Sequence, residues 1–256
     1  MSNVKIFRDT IHGYIEIEKD IVNSIIDTAL FQRLRRIEQT SMRCLYPAAR
    51  HDRFIHSIGT FHLAKKISTN LSQKFKELTS GKFIFDKEYF SKLQFNLELA
   101  ALLHDVGHSP FSHTLEDYFK LEKRDGEVKI NKQLKEALSK CVDNDVYVKF
   151  CENFANAHPS PHEIISAIIS ITEFKDAIQK LCEARSIDAD YDFIIRAITG
   201  TMHDDIDKAL DNCFIRLLNS SAIDVDKLDY ITRDSEISGY DNVKVDTERL
   251  ITSITP

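Results

Sequence analysis

The chain has 256 residues, of which 43% are hydrophobic and 29% are charged, and its formal net charge is −6. This length suits one domain with a substantial core, and the negative charge argues against a general nucleic-acid binder. The five cysteines are scattered without a C-x-x-C pair, which excludes a disulfide framework and is typical of the reducing cytosol. No apolar run is long enough to cross a bilayer, so we expect a cytoplasmic protein with no membrane role.

The first half of the chain predicts a hairpin followed by helices. Seven glycines and five prolines are too few for the turns of an all-β chain. Short alternation around His12-Gly13 predicts a β-hairpin over residues 4–18. Apolar residues at helical spacing then predict helices over residues 21–37, 54–75 and 90–104. After the last of these we expect Gly107 to take a positive φ and to end the helix.

The second half is also predicted to be helical, with one peripheral segment. Residues 118–158 are charged and weakly periodic, and we interpret them as a variable insertion with solvated helices. A strongly apolar helix begins at His162, and further helices are predicted over residues 192–201, 204–218 and 226–235. Since the chain has no repeat and no linker, we expect residues 1–256 to form a single, mainly α-helical domain.

Charge is distributed unevenly along the chain. Residues 32–66 contain eight basic and two acidic side chains, whereas residues 183–249 contain sixteen acidic and eight basic ones. A basic segment that faces an acidic one suits a site for both phosphates and a cation. A helix with a solvated basic face would explain the basic segment equally well.

Three His-Asp dipeptides are present, at residues 51–52, 104–105 and 203–204, so the dipeptide alone says little. His104-Asp105 differs from the others because it ends an apolar helix and opens the sequence HDVGHSPFSH, which adds His108 and His113. Neighbouring imidazole and carboxylate groups suit a borderline or hard divalent ion such as Mn, Fe, Zn, Ni or Mg. The alternative is a buried core histidine followed by a capping aspartate.

Two further constellations are weaker. In the sequence DKLDYITRD, Asp226, Asp229, Tyr230, Arg233 and Asp234 share one helix face. On spacing alone, such a face is more typical of the solvent side. His162-Glu163 begins an apolar helix, where a glutamate is favoured by the helix dipole without any catalytic role. His162 is nevertheless a candidate acid or base, because imidazole titrates near neutral pH.

Taken together, several separated stretches resemble the HD-domain phosphohydrolases, and among them the SAMHD-like or dGTPase-like deoxynucleoside triphosphate triphosphohydrolases. The stretches are FRDTIHGYIEIE (residues 7–18), IIDTALFQRLRRIEQ (25–39), YPAARHDRFIHSIGTFHLA (46–64), LAALLHDVGHSPFSHTLE (99–116), HEIIS (162–166) and AIDVDKLDYITRDSEISG (222–239). The resemblance implies an all-α HD-domain helical fold with a small N-terminal β-hairpin.

The resemblance also implies roles for particular residues. One divalent ion would be held by His56, His104, Asp105 and Asp226. His162, supported by Glu163, would act as the general acid, with His108 and His113 at the phosphates or assisting the acid. The expected substrate contacts are Arg53 and Lys227 at the phosphates and Gln39, Tyr230 and Asp234 at the sugar. The substrate would be a dNTP, the products a nucleoside and triphosphate, and the protein a homo-oligomer.

Some positions depart from the family pattern. Ile55 replaces the acid of RFEHS, and Thr40-Ser41-Met42 replaces a Leu-Gly-Gly run that helps to select base and sugar. The C-terminal lobe of longer relatives is expected to be absent from residues 1–256. Two other functions remain open: a phosphodiesterase or nucleotidase acting on another nucleotide, and a nucleotide-sensing subunit without turnover.

Overall fold

The structure is a computed structural model that describes residues 3–40, 45–47, 49–78, 86–239 and 245–254. Within these residues the mainly α-helical fold with a small N-terminal β-hairpin is confirmed. Two antiparallel pairs of strands are present: β1 (Val4–Asp9) with β2 (Gly13–Glu18), and β3 (Lys123–Arg124) with β4 (Glu127–Val128). The helices, in chain order, are α1 (Lys19–Ile21), α2 (Ala29–Gln32), α3 (Arg53–Leu78), α4 (Lys87–Leu103), α5 (Glu116–Leu121), α6 (Lys129–Leu138), α7 (Asn144–Phe154), α8 (Pro161–Thr172), α9 (Lys175–Glu183), α10 (Tyr191–Thr199), α11 (Ala209–Leu218), α12 (Val225–Ser238) and α13 (Thr247–Ser253).

The N-terminal hairpin is closed by a turn that Asp9 organises. Asp9 Oδ1 accepts hydrogen bonds from the backbone N–H groups of Ile11 (2.6 Å) and His12 (2.9 Å). Gly13 follows with a φ of 73°, a conformation that favours glycine. Ile15 and Ile17, two residues apart on β2, are fully buried and fix the hairpin on the core.

The helix predicted over residues 21–37 is broken into shorter pieces. A π-helical turn (Val22–Ile26) follows α1, and a 3₁₀ turn (Arg33–Arg36) follows α2. The break lies at Thr28, whose backbone is extended and whose side chain accepts a hydrogen bond from the Phe31 N–H. A capping threonine begins a new helix. The prediction of helical structure in this segment is therefore confirmed, but the prediction of one continuous helix is wrong.

The core forms where α3 lies along α4, with α12 packed on α3 and α10 packed on α4. Leu97, Leu99, Leu102 and Leu103 are all fully buried, so the end of α4 is surrounded by protein. Burying one such leucine contributes about 1.5–3 kcal/mol. The rigid end of α4 therefore holds His104 in place. In the part of the chain that the structure describes, no helix has the length and apolar character that a bilayer crossing requires.

The helices α6 and α7, within residues 118–158, are solvated on their outer faces and buried on their inner faces. Ile130, Leu134 and Leu138 form one buried face of α6, which packs against α8. Phe150 of α7 is also fully buried. Lysines and glutamates occupy only the outer faces. Because these charged residues dominate the composition, the apolar residues at helical spacing were not recognised in the sequence. That this segment is a variable insertion remains a prediction.

Candidate metal centre

Three helix ends converge to form the candidate site. The side chain of Asp52 accepts a hydrogen bond from the Ile55 N–H and begins α3, whose first turn carries Arg53 and His56. His104 ends α4, and Asp105 follows it directly. Asp224 caps α12 through the Lys227 N–H, and Asp226 lies in the first turn. The capping side chains satisfy free backbone N–H groups at the starts of α3 and α12 and so fix these two helix ends.

The structure brings together the four side chains that the resemblance implies as metal ligands. His56 Nε2 lies 2.9 Å from Asp226 Oδ1 and 3.3 Å from His104 Nε2. His104 Nε2 lies 3.7 Å from Asp226 Oδ1. The two carboxylate oxygens of Asp105 lie 3.7 Å from the Nε2 atoms of His56 and His104 respectively. We call His56, His104, Asp105 and Asp226 the metal group.

Three members of the metal group, His56, His104 and Asp226, place ligand-type atoms within 4.8 Å of one another and could hold one divalent ion, with Asp105 next to both imidazoles. Ligand atoms about 2.0–2.2 Å from an ion lie roughly 3–4 Å from one another, and mixed imidazole and carboxylate ligands suit Mn, Fe, Zn and Ni. Charge also fits, because His56 is fully buried beside carboxylates. Burial alone would lower the pKa of His56, but hydrogen bonds to Asp226 and Asp229 raise it to about 10. The site therefore requires a positive charge, from a proton or from a metal ion.

A second group of titratable side chains lies beside the first. His108, His113, Glu116 and His162 place one ligand-type atom each within 4.8 Å of one another; we call them the histidine–glutamate group. Glu116 Oε1 lies 2.6 Å from His162 Nδ1 and 2.8 Å from His113 Nδ1. Burial would raise the pKa of Glu116, but these two bonds lower it to about 2. A single carboxylate oxygen therefore orients two imidazoles.

His108 joins the two groups. Its ring stacks on that of His162 with centroids 4.0 Å apart, and its Nε2 lies 3.2 Å from Asp105 Oδ1. Burial lowers the pKa of His108 to about 3, so this ring is neutral near pH 7.

Gly107 lies in the segment that follows α4 and sets the distance between that segment and α8. The prediction that Gly107 has a positive φ is wrong. A Cβ atom on Gly107 would lie 2.3 Å from the backbone nitrogen of Ser166. The Gly107 N–H donates to Ser166 Oγ at 2.8 Å. Glycine is therefore required for close approach of two backbones, which brings His162 beside His108.

Arg53 contacts both groups and is 2% exposed. Its Nη1 donates to Asp105 Oδ2 at 2.6 Å, and its Nη2 lies 2.7 Å from Ser112 Oγ and 3.2 Å from His113 Nε2. A cavity of about 480 Å³ opens next to these contacts, with Gln39 on one wall and Ser112 and His113 on another. A cavity of this size accommodates a small-molecule ligand.

Two predicted substrate residues lie on α12 close to the metal group. The Tyr230 ring centroid is 6.5 Å from that of His56. Lys227 Nζ donates to Asp224 Oδ2 at 2.5 Å and to the Ser220 carbonyl at 2.6 Å. Burial would lower the pKa of Lys227, but the bond to Asp224 raises it. The ammonium is charged and turned toward the start of α12.

Gln39 and Asp234 lie near His51, which sequence reasoning gave no role. Asp234 Oδ1 is 3.3 Å from His51 Nε2, and the Gln39 N–H donates to the His51 carbonyl. Burial raises the pKa of Asp234. Ser41 and Met42, which replace part of the family's sugar-selecting run, lie outside the described residues.

Glu163 makes no hydrogen bond to His162 in the part of the chain that the structure describes. Its carboxylate accepts the Ser160 N–H at 2.5 Å, as in a capping box, and a hydrogen bond from Asn219 at 2.8 Å. The support comes instead from Glu116, which sequence reasoning missed. Its position three residues after His113 was the available signal, since such residues are neighbours on a helical turn.

The polar face of α12 is partly buried, and Asp229 and Arg233 are its buried members. Asp229 is 0% exposed and Arg233 is 1% exposed, and they form an ion pair of 2.8 Å. The spacing of four residues was visible in the sequence, but the burial depends on the packing of α12 against α3. Neither His51 nor His203 belongs to the metal group among the described residues.

The amino-acid sequence is similar to those of several known proteins. The chain is 27% identical over its full length to the uncharacterised protein YwfO of Bacillus subtilis, a match that covers 45% of that protein. It is 39% identical over 115 residues to the deoxynucleoside triphosphate triphosphohydrolase SAMHD1 homolog of Dictyostelium discoideum, covering 44% of this chain and 20% of that protein. The chain thus spans less than half the length of these curated relatives.

A solved structure supports the fold. A hypothetical protein from Aquifex aeolicus superposes with a TM-score of 0.60 at 23% identity, covering 98% of this chain and 51% of that one. The sequence profile of the HD domain matches residues 53–234, which is more than two thirds of the chain and includes every member of the metal group. The chain therefore belongs to the HD domain family, whose members bind divalent metals and include metal-dependent phosphohydrolases.

Proposed function

We propose that this chain hydrolyses deoxynucleoside triphosphates to a nucleoside and inorganic triphosphate. The observation that supports the proposal is that the four residues expected to bind the metal meet beside a buried arginine, a histidine–glutamate group and a cavity of about 480 Å³. When bound, a divalent ion lowers the pKa of water toward neutrality and offsets negative charge on phosphate oxygens. Phosphate hydrolysis requires little further covalent chemistry from the protein.

The protein's own side chains supply positioning and proton transfer. Arg53 places a permanent positive charge between the two groups, where its planar guanidinium suits phosphate oxygens. Glu116 accepts from Nδ1 of His162, which leaves the other ring nitrogen for proton transfer. His162 would donate that proton to the departing 5′-oxygen. α5 and α8 carry this pair, and the ring of His108 lies between His162 and Asp105.

The choice of a dNTP is supported by the named activity of the Dictyostelium relative and its vertebrate counterparts. Those matches cover 44–45% of this chain, in separate longer proteins. A phosphodiesterase or nucleotidase acting on another nucleotide would use the same groups.

Product analysis separates these activities. The purified protein is incubated with Mn²⁺ and with individual dNTPs, NTPs and short oligonucleotides, and the products are resolved by ion-exchange chromatography. Release of inorganic triphosphate and a deoxynucleoside is the expected result. Pyrophosphate with a nucleoside monophosphate would contradict the proposal and support a different phosphoester hydrolase.

Replacing Asp226 with Ala separates catalysis from nucleotide sensing. We expect Asp226→Ala to lose bound metal and hydrolysis together, because it removes one of four ligands. Asp204→Ala, at the exposed aspartate of the His203-Asp204 dipeptide, is the matched control and should retain both. A wild-type protein that binds dNTPs but never turns them over would instead be a sensor. Hydrolysis that survives in Asp226→Ala would refute the ligand assignment.

A further inference from the structure

Asp229 is a buried carboxylate that faces the metal group without belonging to it. It is 0% exposed, and its Oδ2 lies 2.7 Å from His56 Nδ1. Arg233 donates to both oxygens, from Nε to Oδ2 (3.0 Å) and from Nη2 to Oδ1 (2.8 Å). The remaining contact is His12 Nε2, which lies 2.6 Å from Oδ1. Asp229 is thus held by three side chains, one of which comes from the N-terminal hairpin.

The two histidines of the metal group are oriented in different ways. His104 Nδ1 lies 2.7 Å from the Ala101 carbonyl of its own helix. His56 Nδ1 instead faces Asp229, which leaves Nε2 toward Asp226 and His104. A carboxylate that accepts the Nδ1 proton of a ligand histidine fixes its tautomer and ring orientation. The orientation of His56 therefore depends on the position of Asp229.

The hairpin turn is bonded to this carboxylate and to its arginine. Asp9 uses Oδ1 to close the turn at Ile11 and His12, and its Oδ2 accepts from Arg233 Nη1 at 2.8 Å. His12 has a side chain 8% exposed and contacts Asp229 directly. One folded turn thus presents two side chains to two residues of α12.

Gly59 gives independent evidence that the position of Asp229 is narrowly defined. A Cβ atom on Gly59 would lie 2.0 Å from Asp229 Oδ1 and 2.6 Å from Arg233 Nη2. The backbone of α3 therefore forms a wall directly against the carboxylate. Asp229 cannot move toward α3, and His12 of the hairpin contacts the same carboxylate oxygen, Oδ1.

We propose that the N-terminal hairpin positions the metal ligand His56 through Asp229, with His12 as the positioning residue. This inference rests on the proposed metal site. His12 does not contact the ion or the substrate, and it acts by fixing the Asp229 oxygen that would otherwise be held by Arg233 alone. The hairpin then contributes to the geometry of the metal site, although it lies at the periphery of the domain.

The test measures metal affinity rather than activity. Metal-free protein is titrated with Co²⁺ by calorimetry, and the visible absorption of bound Co²⁺ reports the geometry of the ligands. We expect His12→Ala to raise the Kd for Co²⁺ roughly 10- to 100-fold, as for other outer partners of metal ligands. Tyr14→Ala, on the same hairpin and 69% exposed, is the matched control and should bind as the wild type does.

A pair of conservative variants makes the test independent of folding losses. His12→Gln keeps an N–H donor near the position of Nε2, whereas His12→Asn has a donor too short to reach Asp229. We expect Gln to preserve Co²⁺ affinity and spectrum and Asn to lose them, with equal thermal stability of the two metal-free proteins. Equal Co²⁺ affinity in both variants would overturn the inference.

The same titration distinguishes the two proposals. If the wild-type protein fails to bind Co²⁺, the metal site itself is refuted. If the wild type binds Co²⁺ and every His12 variant binds it equally well, the metal site stands and only the positioning role is refuted. Gly59→Ala provides a further check, since it should weaken Co²⁺ binding by displacing Asp229 without removing any polar group.

Discussion

The metal group and the histidine–glutamate group use the same side-chain types but differ in burial and bonding. His56, His104 and Asp105 are buried and come from helix ends within the core. His113, by contrast, has a side chain 61% exposed, and Glu116 lies on the short helix α5. The first group surrounds one point with imidazole and carboxylate atoms, whereas the second orients two imidazoles on one carboxylate and exposes His113 to solvent. Arg53 is the side chain that contacts both.

The largest expected effect is the loss of a metal ligand. His104→Ala should lose metal retention and reduce hydrolysis by more than about 10⁴-fold, above the range of general acid catalysis. Metal content by mass spectrometry and the rate of dNTP hydrolysis test this together. If His104→Ala kept both metal and rate, the first group would not be the metal site.

Glu116 tests whether the second group acts separately. Glu116→Gln should leave Mn²⁺ affinity unchanged and lower kcat roughly 10²- to 10⁴-fold, the range of general acid catalysis. Asp117→Asn, its exposed neighbour, is the control. A fall in Mn²⁺ affinity in Glu116→Gln would show that the histidine–glutamate group also contributes to metal binding, and that the two groups do not act separately.

A smaller loss of activity is expected on substitution of Arg53, which contacts both groups. Arg53→Lys keeps the charge but loses the two-pronged contact with Asp105 and Ser112. Loss of one charged hydrogen bond is worth about 1.5–3 kcal/mol, so kcat/KM should fall roughly 10- to 100-fold. Steady-state kinetics test this, and an unchanged kcat/KM would exclude Arg53 from phosphate binding.

The smallest effect concerns Glu98, a buried carboxylate of α4 that belongs to neither group. Burial raises its pKa to about 7, whereas the equally buried Asp229 has a lowered pKa because His12, His56 and Arg233 surround it. The folded state binds the Glu98 proton more tightly than the unfolded state, so stability falls as pH rises from about 4.5 to 7.

Glu98→Gln should remove this part of the pH dependence. We expect the variant to gain about 1–3 kcal/mol relative to the wild type at pH 8 and little at pH 4. Urea unfolding at the two pH values measures the difference, with exposed Glu88→Gln as the control. An equal gain at both values would show that the buried proton is not responsible.

Local patterns anticipated much of the domain. The hairpin at residues 4–18, α3, α4 and α8 follow from alternation, helical spacing and capping signals. The convergence of His56 with His104 could not be derived from spacing, because the two lie on different helices. It was expected only through resemblance to a family.

What the sequence could not provide depends on tertiary packing. Glu116 rather than Glu163 orients His162, because α5 lies against α8 while Glu163 is used in the cap of α8 itself. The burial of Asp229 follows from the contact of α12 with Gly59 on α3. Such contacts leave no periodic signal, since each involves one residue on each of two distant helices.

The ligands of the metal group come from the beginning, the middle and the far end of the HD domain. A chain emerging from the ribosome cannot complete the group until residue 226 has been synthesised and α12 has docked on α3. A chain that ends before residue 226 would therefore lack one member of the metal group, however well its earlier helices had folded.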